Sequence, residues 1–131
     1  MTNPPQGRPR DRGQAAIEYL GFLPILLIVG MAGLQLGVAA YAAQQAGTAA
    51  RAAARAVTTD DEPRLDAQTA ATEATSGWVK PMAVPSGGDG EVTVTVTVTI
   101  PSVVPFWDDF GTVEKTATMP LLETSDQEDL R

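Results

Sequence analysis

The first third of the chain contains a long apolar run. No charged residue occurs between Tyr19 and Ala50, and within the 23 positions 19–41 only glycines, one proline and one glutamine are not hydrophobic. A helix of that length spans roughly 35 Å, which is enough to cross a hydrocarbon core of about 30 Å. The pattern therefore predicts one transmembrane helix. A core helix of a soluble protein is disfavoured, because the rest of the chain is too small to enclose a helix that is apolar on every side.

The helical pattern extends beyond this run. Alanine-rich sequence continues to Val57, and alanine has the highest helix propensity. Arg51 and Arg55 are four residues apart and therefore share a face. We predict that the helix continues past the membrane as an exposed stalk.

A second, weaker helix is predicted over residues 63–78, after a break at 58–63. Thr59 and Glu62 have the spacing of a capping box ahead of it. The predicted apolar stripe of this helix consists of Ala67, Ala71, Ala74 and Trp78.

The last third of the chain has an alternating pattern. Valine or isoleucine occupies every even position from Val92 to Ile100, with threonine between them, which predicts a strand with one apolar face. Residues 112–119 alternate more weakly, because Lys115 interrupts their apolar side. An antiparallel hairpin is the natural pairing, although its connection at residues 101–111 is long.

Proline and glycine separate the helical and alternating parts. Pro81, Pro85 and the Gly-rich segment 86–90 predict a break in the chain. The predicted class is α+β, with a long N-terminal transmembrane α-helix and helical stalk, then a small extracytoplasmic domain with the second helix and the antiparallel β-hairpin. The predicted boundaries are a basic leader at 1–13, the transmembrane helix and stalk at 14–57, the domain at 58–122 and an acidic tail at 123–131.

The distribution of charge predicts which side of the membrane each end of the chain lies on. The chain has 9 Lys plus Arg against 16 Asp plus Glu. Three arginines precede the apolar run and two follow it, while the acidic residues are concentrated after Val57. Short basic flanks remain cytoplasmic, so we predict a single-pass plasma (inner) membrane protein with a cytoplasmic N-terminus and its C-terminal domain outside, at the cell surface. The acidic exterior argues against nucleic-acid binding.

The composition excludes several kinds of site. The chain has no His and no Cys, which excludes imidazole catalysis, cysteine zinc sites and disulfides. The acidic clusters at residues 60–62 and 108–109 lack the spacing and ligand set of a calcium loop. We therefore predict that the protein is not an enzyme and has no metal and no cofactor.

One carboxylate, that of Glu18, lies at the edge of the apolar run, where a charge is costly without a partner. A simple explanation is that Glu18 occupies the first turn of the helix, close to the positive end of the helix dipole. However, Glu18 also belongs to the sequence RGQAAIEY at residues 12–19, which continues directly into LGFLP.

This segment resembles the processing site of type IV prepilins, and more closely that of the tight-adherence (Tad, or Flp) pilus system. Prepilin leaders are short and basic, end in glycine, and place glutamate fifth in the mature chain. The resemblance implies cleavage by a prepilin peptidase after Gly13, which makes Gln14 the first residue and Glu18 the fifth. The Glu18–Tyr19 pair resembles Flp pilins, and the early Pro24 resembles TadE-type pseudopilins. Gln14 departs from the phenylalanine that often comes first, so N-methylation remains open.

The resemblance extends to the Ala- and Arg-rich stretch at residues 49–56 and to the Ala117–Thr118–Met119 end of the last strand. TadE-like proteins have one N-terminal transmembrane helix and a small extracytoplasmic domain, which the shorter major Flp pilins lack. The resemblance therefore implies a TadE-like minor pseudopilin that supports assembly of Flp-type pili or a related secretion apparatus. The implied partners are prepilin peptidase, other pilins or pseudopilins, the Tad assembly machinery and the lipid bilayer, in a homo- or hetero-oligomer.

Glu18 has a physical role on this interpretation. Cleavage would create an α-ammonium group on Gln14 beside the membrane. The Glu18 carboxylate of the same chain or of a neighbour would pair with that cation and remove a lone charge from a low-dielectric environment. We hypothesise that this pairing selects the register of assembly.

Two further surfaces are candidates for contacts. The glycines at positions 30, 33 and 37 lie roughly on one side of the helix, which would allow another helix to approach closely, although glycine is common in membrane helices in any case. The aromatic residues of the long connection would form either an exposed partner-binding patch or a cap on the open face of the hairpin. The residues concerned are Gly30, Gly33 and Gly37, and Phe106, Trp107 and Phe110.

The main alternative is a secreted or signal-anchored binding domain unrelated to pili. Ala40–Tyr41–Ala42 fits the small-x-small rule of an ordinary secretory signal, although the apolar stretch is longer than usual for such a signal. The first residue of the mature protein distinguishes these interpretations. Gln14 indicates a pseudopilin, Ala43 indicates a secreted domain, and an uncut start indicates a signal anchor.

Overall fold

Helix α1 (Arg10–Thr58) carries the apolar run. The computed structural model describes residues 2–3, 10–59 and 65–121. Most of the leader, the acidic cluster at 60–62 and the acidic tail at 123–131 lie outside these ranges. The chain divides into two compact units, residues 1–34 and 35–131, which we call the N-terminal unit and the C-terminal unit.

The N-terminal unit contains the first part of α1, including most of the apolar run, up to Leu34. Helix α1 is long and apolar enough to cross a membrane. Its large apolar side chains from Ile17 to Val29 are each at least half exposed in the isolated chain. Exposure of so much apolar surface to water is unfavourable, at about 25 cal/mol per Å², whereas lipid would cover it. The helix therefore fits a single-pass membrane anchor.

The start of α1 differs from the prediction. We expected an irregular leader up to Gly13, but residues 10–13 are already helical. A single glycine costs a helix only about 1 kcal/mol relative to alanine. Propagation from the long helix that follows is favourable enough to include it.

The C-terminal unit contains a three-stranded antiparallel sheet in the order β1-β2-β3, with β1 (Pro81–Gly88), β2 (Glu91–Pro101) and β3 (Asp109–Pro120). The predicted β2–β3 hairpin is confirmed, with Val94 opposite Ala117 and Val98 opposite Val113. The predicted break before it is wrong, because that segment is strand β1, paired with β2 along its whole length. An edge strand tolerates its two prolines, since each removes only one backbone donor.

A two-residue turn joins β1 to β2. Asp89 and Gly90 both have positive φ, 49° and 81°. Positive φ at both central residues is the geometry of a type I′ hairpin turn, which suits the right-handed twist of the strands and favours Asp-Gly. The glycine cluster thus turns the chain within the sheet.

The core of the C-terminal unit lies between α1 and the apolar face of the sheet. Six alanines of α1 are at most 1% exposed and form one cluster with the inward valines of β2. The prediction of an exposed stalk is therefore wrong for this face of the helix, although Arg51 and Arg55 on another face are exposed. Small side chains allow a helix to pack closely on a sheet of β-branched residues. The alanines are Ala42, Ala46, Ala49, Ala50, Ala53 and Ala54, and the valines are Val94, Val96 and Val98.

Helix α2 (Ala67–Glu73) is shorter than predicted and begins with a different cap. Asp66 is the N-cap, and its Oδ1 accepts a hydrogen bond of 2.8 Å from the backbone N–H of Thr69. Ala67 and Ala71 of the predicted stripe are buried, as expected. Trp78 follows the helix and stacks on Tyr41 of α1, with ring centroids 5.6 Å apart.

This cap predicts an acid sensitivity. The backbone and then the side-chain hydrogen bond from Thr69 hold the pKa of Asp66 below its usual value. A lowered pKa in the folded state stabilises the fold above the ordinary aspartate pKa, about 3.9, and that contribution is lost as the pH falls below it. Asp66→Ala should lower the unfolding temperature at pH 7. Asp66→Asn should keep the cap but lose this part of the acid dependence, which thermal melts at pH 3 and pH 7 measure.

Candidate processing and assembly site

The predicted cleavage point, Gly13–Gln14, lies near the start of α1, and both residues are exposed. A Cβ added at Gly13 would have no neighbouring atom within 4 Å, so the peptide is open to an approaching enzyme. The first turns of a helix unwind readily, since their amide groups lack partners within the helix. An extended scissile segment therefore requires only local opening.

Glu18 and Tyr19 are exposed on the next turn of α1. Gln14 and Glu18 are four residues apart, so they are neighbours on one face of the helix, with Cβ atoms about 5–6 Å apart. After cleavage, the amino group of Gln14 would lie on the face that carries the Glu18 carboxylate. The geometry thus allows the predicted ion pair within one chain, and exposure of Glu18 also allows it between chains.

The three glycines of the predicted packing face are open. An added Cβ at Gly30, Gly33 or Gly37 would meet no atom within 4 Å in the isolated chain. Close approach of a second helix is therefore sterically possible at each position. Their role in packing remains a prediction.

A buried glutamine fixes one end of the sheet to α1. Gln35 is only 4% exposed, and its Nε2 donates a hydrogen bond of 3.1 Å to the carbonyl of Pro101. Its Oε1 accepts one of 2.9 Å from the backbone N–H of Val103. At the other end, the hydroxyl of Thr58 contacts Met119 Sδ at 4.0 Å. Strand β2 thus runs antiparallel to α1, and the β2–β3 connection lies at the Gln35 end.

The aromatic residues of that connection are exposed. Phe106 is fully exposed, Trp107 is 66% exposed and Phe110 is 51% exposed. Trp107 and Phe110 lie side by side, with ring centroids 6.4 Å apart. We call these three residues the aromatic patch. Their exposure in the isolated chain favours the predicted partner-binding patch over a cap on the open face of the hairpin, and both roles remain predictions.

Residues 13–55 match the family model of TadE-like proteins. This segment is TadE-like. The match confirms the resemblance predicted from the sequence and associates the chain with Tad pilus systems. The TadE-like segment covers one third of the 131 residues, and it includes the proposed cleavage glycine, Glu18, the open glycines and all six buried alanines of α1.

The sheet and α2 lie outside the TadE-like segment, so the resemblance of the last strand remains a prediction. No curated protein and no solved structure matches the chain. Within the part of the chain that the structure describes, no group of three or more Asp and Glu residues is placed to hold a metal ion.

Proposed function

We propose that this protein is a membrane-anchored pseudopilin that prepilin peptidase cleaves after Gly13, and that it supports assembly of Tad-type pili or a related secretion apparatus. The observation that carries the proposal is the TadE-like match starting at Gly13, together with Glu18 one helical turn after Gln14. Cleavage at this position creates a cation within reach of the carboxylate. The proposed orientation has the leader in the cytoplasm and the C-terminal unit outside.

The chemistry of assembly follows from this arrangement. An unpaired carboxylate or ammonium group at the bilayer edge is unfavourable, whereas a hydrogen-bonded pair is tolerated. Processing thus converts α1 into a helix whose first turn carries both members of an ion pair. Neighbouring subunits can pack in several registers. Registers that bring these two charged groups together, with the apolar and glycine faces of the helices in contact, would be favoured over the others. The proposed partners are other pilins or pseudopilins and the Tad assembly machinery.

The secreted-domain alternative receives no support from the geometry. Cleavage after Ala42 would remove Gln35, Tyr41 and Ala42. Gln35 fixes the β2–β3 connection, Tyr41 stacks on Trp78, and Ala42 is fully buried in the core. Such cleavage would therefore discard contacts that α1 makes within the C-terminal unit.

The N-terminus of the mature protein tests the proposal. When the full chain is expressed in cells that contain a prepilin peptidase, we expect intact-mass and N-terminal analysis to show Gln14 as the first residue. Gly13→Val should abolish this processing, because a branched side chain occupies the scissile position and restricts the backbone.

Gly21→Val is the matched control. This substitution adds the same side chain at another open glycine of α1 and should leave cleavage unchanged. A mature chain that begins at Ala43, or that retains the leader in the presence of an active peptidase, would contradict the proposal.

A further inference from the structure

We propose that the outer edge of strand β3 is a docking site for an extended, acidic peptide segment of another protein, which adds to the sheet as a further strand. This inference depends on the fold of the C-terminal unit and not on cleavage after Gly13. Strand β3 forms one border of the sheet, because the strand order is β1-β2-β3. A border strand presents N–H and C=O groups that can pair with an incoming strand.

The opposite border of the sheet, strand β1, is occupied by a side chain of α2. Gln68 Nε2 donates a hydrogen bond of 2.7 Å to the carbonyl of Pro81, and Gln68 Oε1 accepts one of 2.8 Å from the backbone N–H of Ala83. These are the backbone groups that an incoming strand would use. Pro81 and Pro85 also lack a backbone donor. Strand β1 is therefore a poor template for strand addition.

Strand β3 has no comparable cover within the described residues. There, the one side-chain hydrogen bond to its backbone is local, from the N–H of Gly111 to Oδ1 of Asp109, at 3.3 Å. Strand β3 is 12 residues long, and its inward side chains Val113, Ala117 and Met119 are only partly buried against the core. An incoming strand would supply backbone partners along β3 and would cover these side chains further.

A groove of about 480 Å³ lies between α1 and β3, both within the C-terminal unit. We call it the basic groove, and it is lined by Ala43, Gln44, Gly47, Thr48 and Arg51 of α1 and by Lys115 of β3. Nη1 of Arg51 would be 3.7 Å from a Cβ added at Gly47, so the Arg51 side chain lies against the helix surface there. The groove thus combines small side chains with two cations.

The two cations indicate the charge of the partner. Lys115 interrupts the inward apolar row of β3, where it lies opposite the buried Val96 of β2. The acidic neighbour of Lys115, Glu114, lies on the other face of the sheet and accepts a hydrogen bond of 3.2 Å from the hydroxyl of Thr97. The chain as a whole has 9 Lys plus Arg against 16 Asp plus Glu. Two cations at one groove of an acidic chain therefore favour a partner of negative charge.

Strand addition would place such a partner correctly. Side chains of a strand point alternately to the two faces of a sheet, so every second side chain of an added strand would face the basic groove. Small or apolar side chains would contact Ala43 and Gly47, and an acidic side chain would pair with Arg51 or Lys115. Backbone pairing supplies affinity in this mode of recognition, and the groove supplies specificity.

The test measures binding of fluorescent octapeptides to the full chain in neutral detergent micelles. The probe alternates valine and glutamate, which gives it an acidic face and a preference for extended structure. Its matched control has the same sequence with every backbone nitrogen methylated, so it keeps the charge and loses the backbone donors. We expect saturable binding of the probe and at least about tenfold weaker binding of the control, because backbone hydrogen bonds are lost. Amide hydrogen exchange should slow at residues 109–120 and not at residues 81–88.

Variants of the two cations test the basic groove. Lys115→Gln and Arg51→Gln should each weaken binding of the probe about two- to fivefold, the range of an exposed ion pair. Lys80→Gln removes another exposed lysine, next to strand β1, and should leave the affinity unchanged.

Four results would overturn the inference. Equal binding of the methylated control would show attraction by charge without strand addition. Slower exchange at 81–88 instead of 109–120 would place the probe on the other border. Protection of β3 by self-association of the wild-type chain would make a second copy the occupant. A Lys115→Gln chain that self-associates but binds the probe normally would show that Lys115 only prevents pairing between copies.

Discussion

Replacing Val98 with aspartate is expected to unfold the C-terminal unit. Val98 is fully buried, lies between Pro81 and Val113 in the sheet, and belongs to the alanine–valine core. Placing an unpaired carboxylate there costs several kcal/mol, against a total stability of about 5–15 kcal/mol for a typical domain. The unit should lose its fold at ambient temperature, while the N-terminal unit remains helical in detergent or lipid.

Thr99→Asp is the matched control for this change. Thr99 is the next residue of β2, is exposed, and faces the opposite side of the sheet. A charge on that side remains hydrated and should change stability by only about 0.5 kcal/mol. Limited proteolysis and thermal melts of the full chain in detergent compare the two variants. If both melted at the same temperature, the packing of β2 against α1 would be incorrect.

The pattern of apolar and polar residues was sufficient to predict the long helix and strand β2, where that pattern is strong. The apolar run has the length of a membrane helix, and the Val/Thr alternation of β2 leaves only one regular conformation that separates the two residue types. For α2, the position of the alanines was right and the cap was wrong. Asp66 is as good an N-cap as Thr59, and only the fold decides which amide groups need an acceptor.

The error at β1 has an identifiable cause. Pro81 and Pro85 predict a break, but each occupies an edge strand, where a missing donor has little effect. The Asp89–Gly90 pair was the available signal for a tight hairpin turn. Residues 81–88 themselves contain two prolines and two glycines and have no alternating pattern, so their strand conformation depends on pairing with β2.

The burial of the stalk was harder to predict. Alanine is compatible with both water and a core, so an alanine-rich helix does not reveal which face is covered. The buried alanines nevertheless lie on one face of α1, because they recur at spacings of three and four residues. Gln35 is the one glutamine of the apolar run, which indicates a need for hydrogen-bond partners. The sequence does not identify these partners, because they are backbone groups of Pro101 and Val103, far away along the chain.

Replacing Glu18 with glutamine should block pilus assembly without blocking cleavage. The change keeps the size of the side chain and removes its charge, so the Gln14 ammonium group created by processing would lose its counter-ion. Removing one member of a buried pair costs about 3–5 kcal/mol, which corresponds to a loss of at least roughly 100-fold in an assembly equilibrium. Gly13 is unchanged, so the leader should still be removed.

Two comparisons make this result specific to the ion pair. Glu73→Gln makes the same chemical change at an exposed carboxylate at the end of α2 and should assemble like the wild type. Glu18→Asp keeps the charge on a shorter side chain and should recover part of the assembly. Fibre yield measures assembly, and the mass of the membrane-bound protein measures cleavage. Wild-type yield from a correctly cleaved Glu18→Gln chain would contradict the prediction, because it would show that assembly does not depend on a charge at this position.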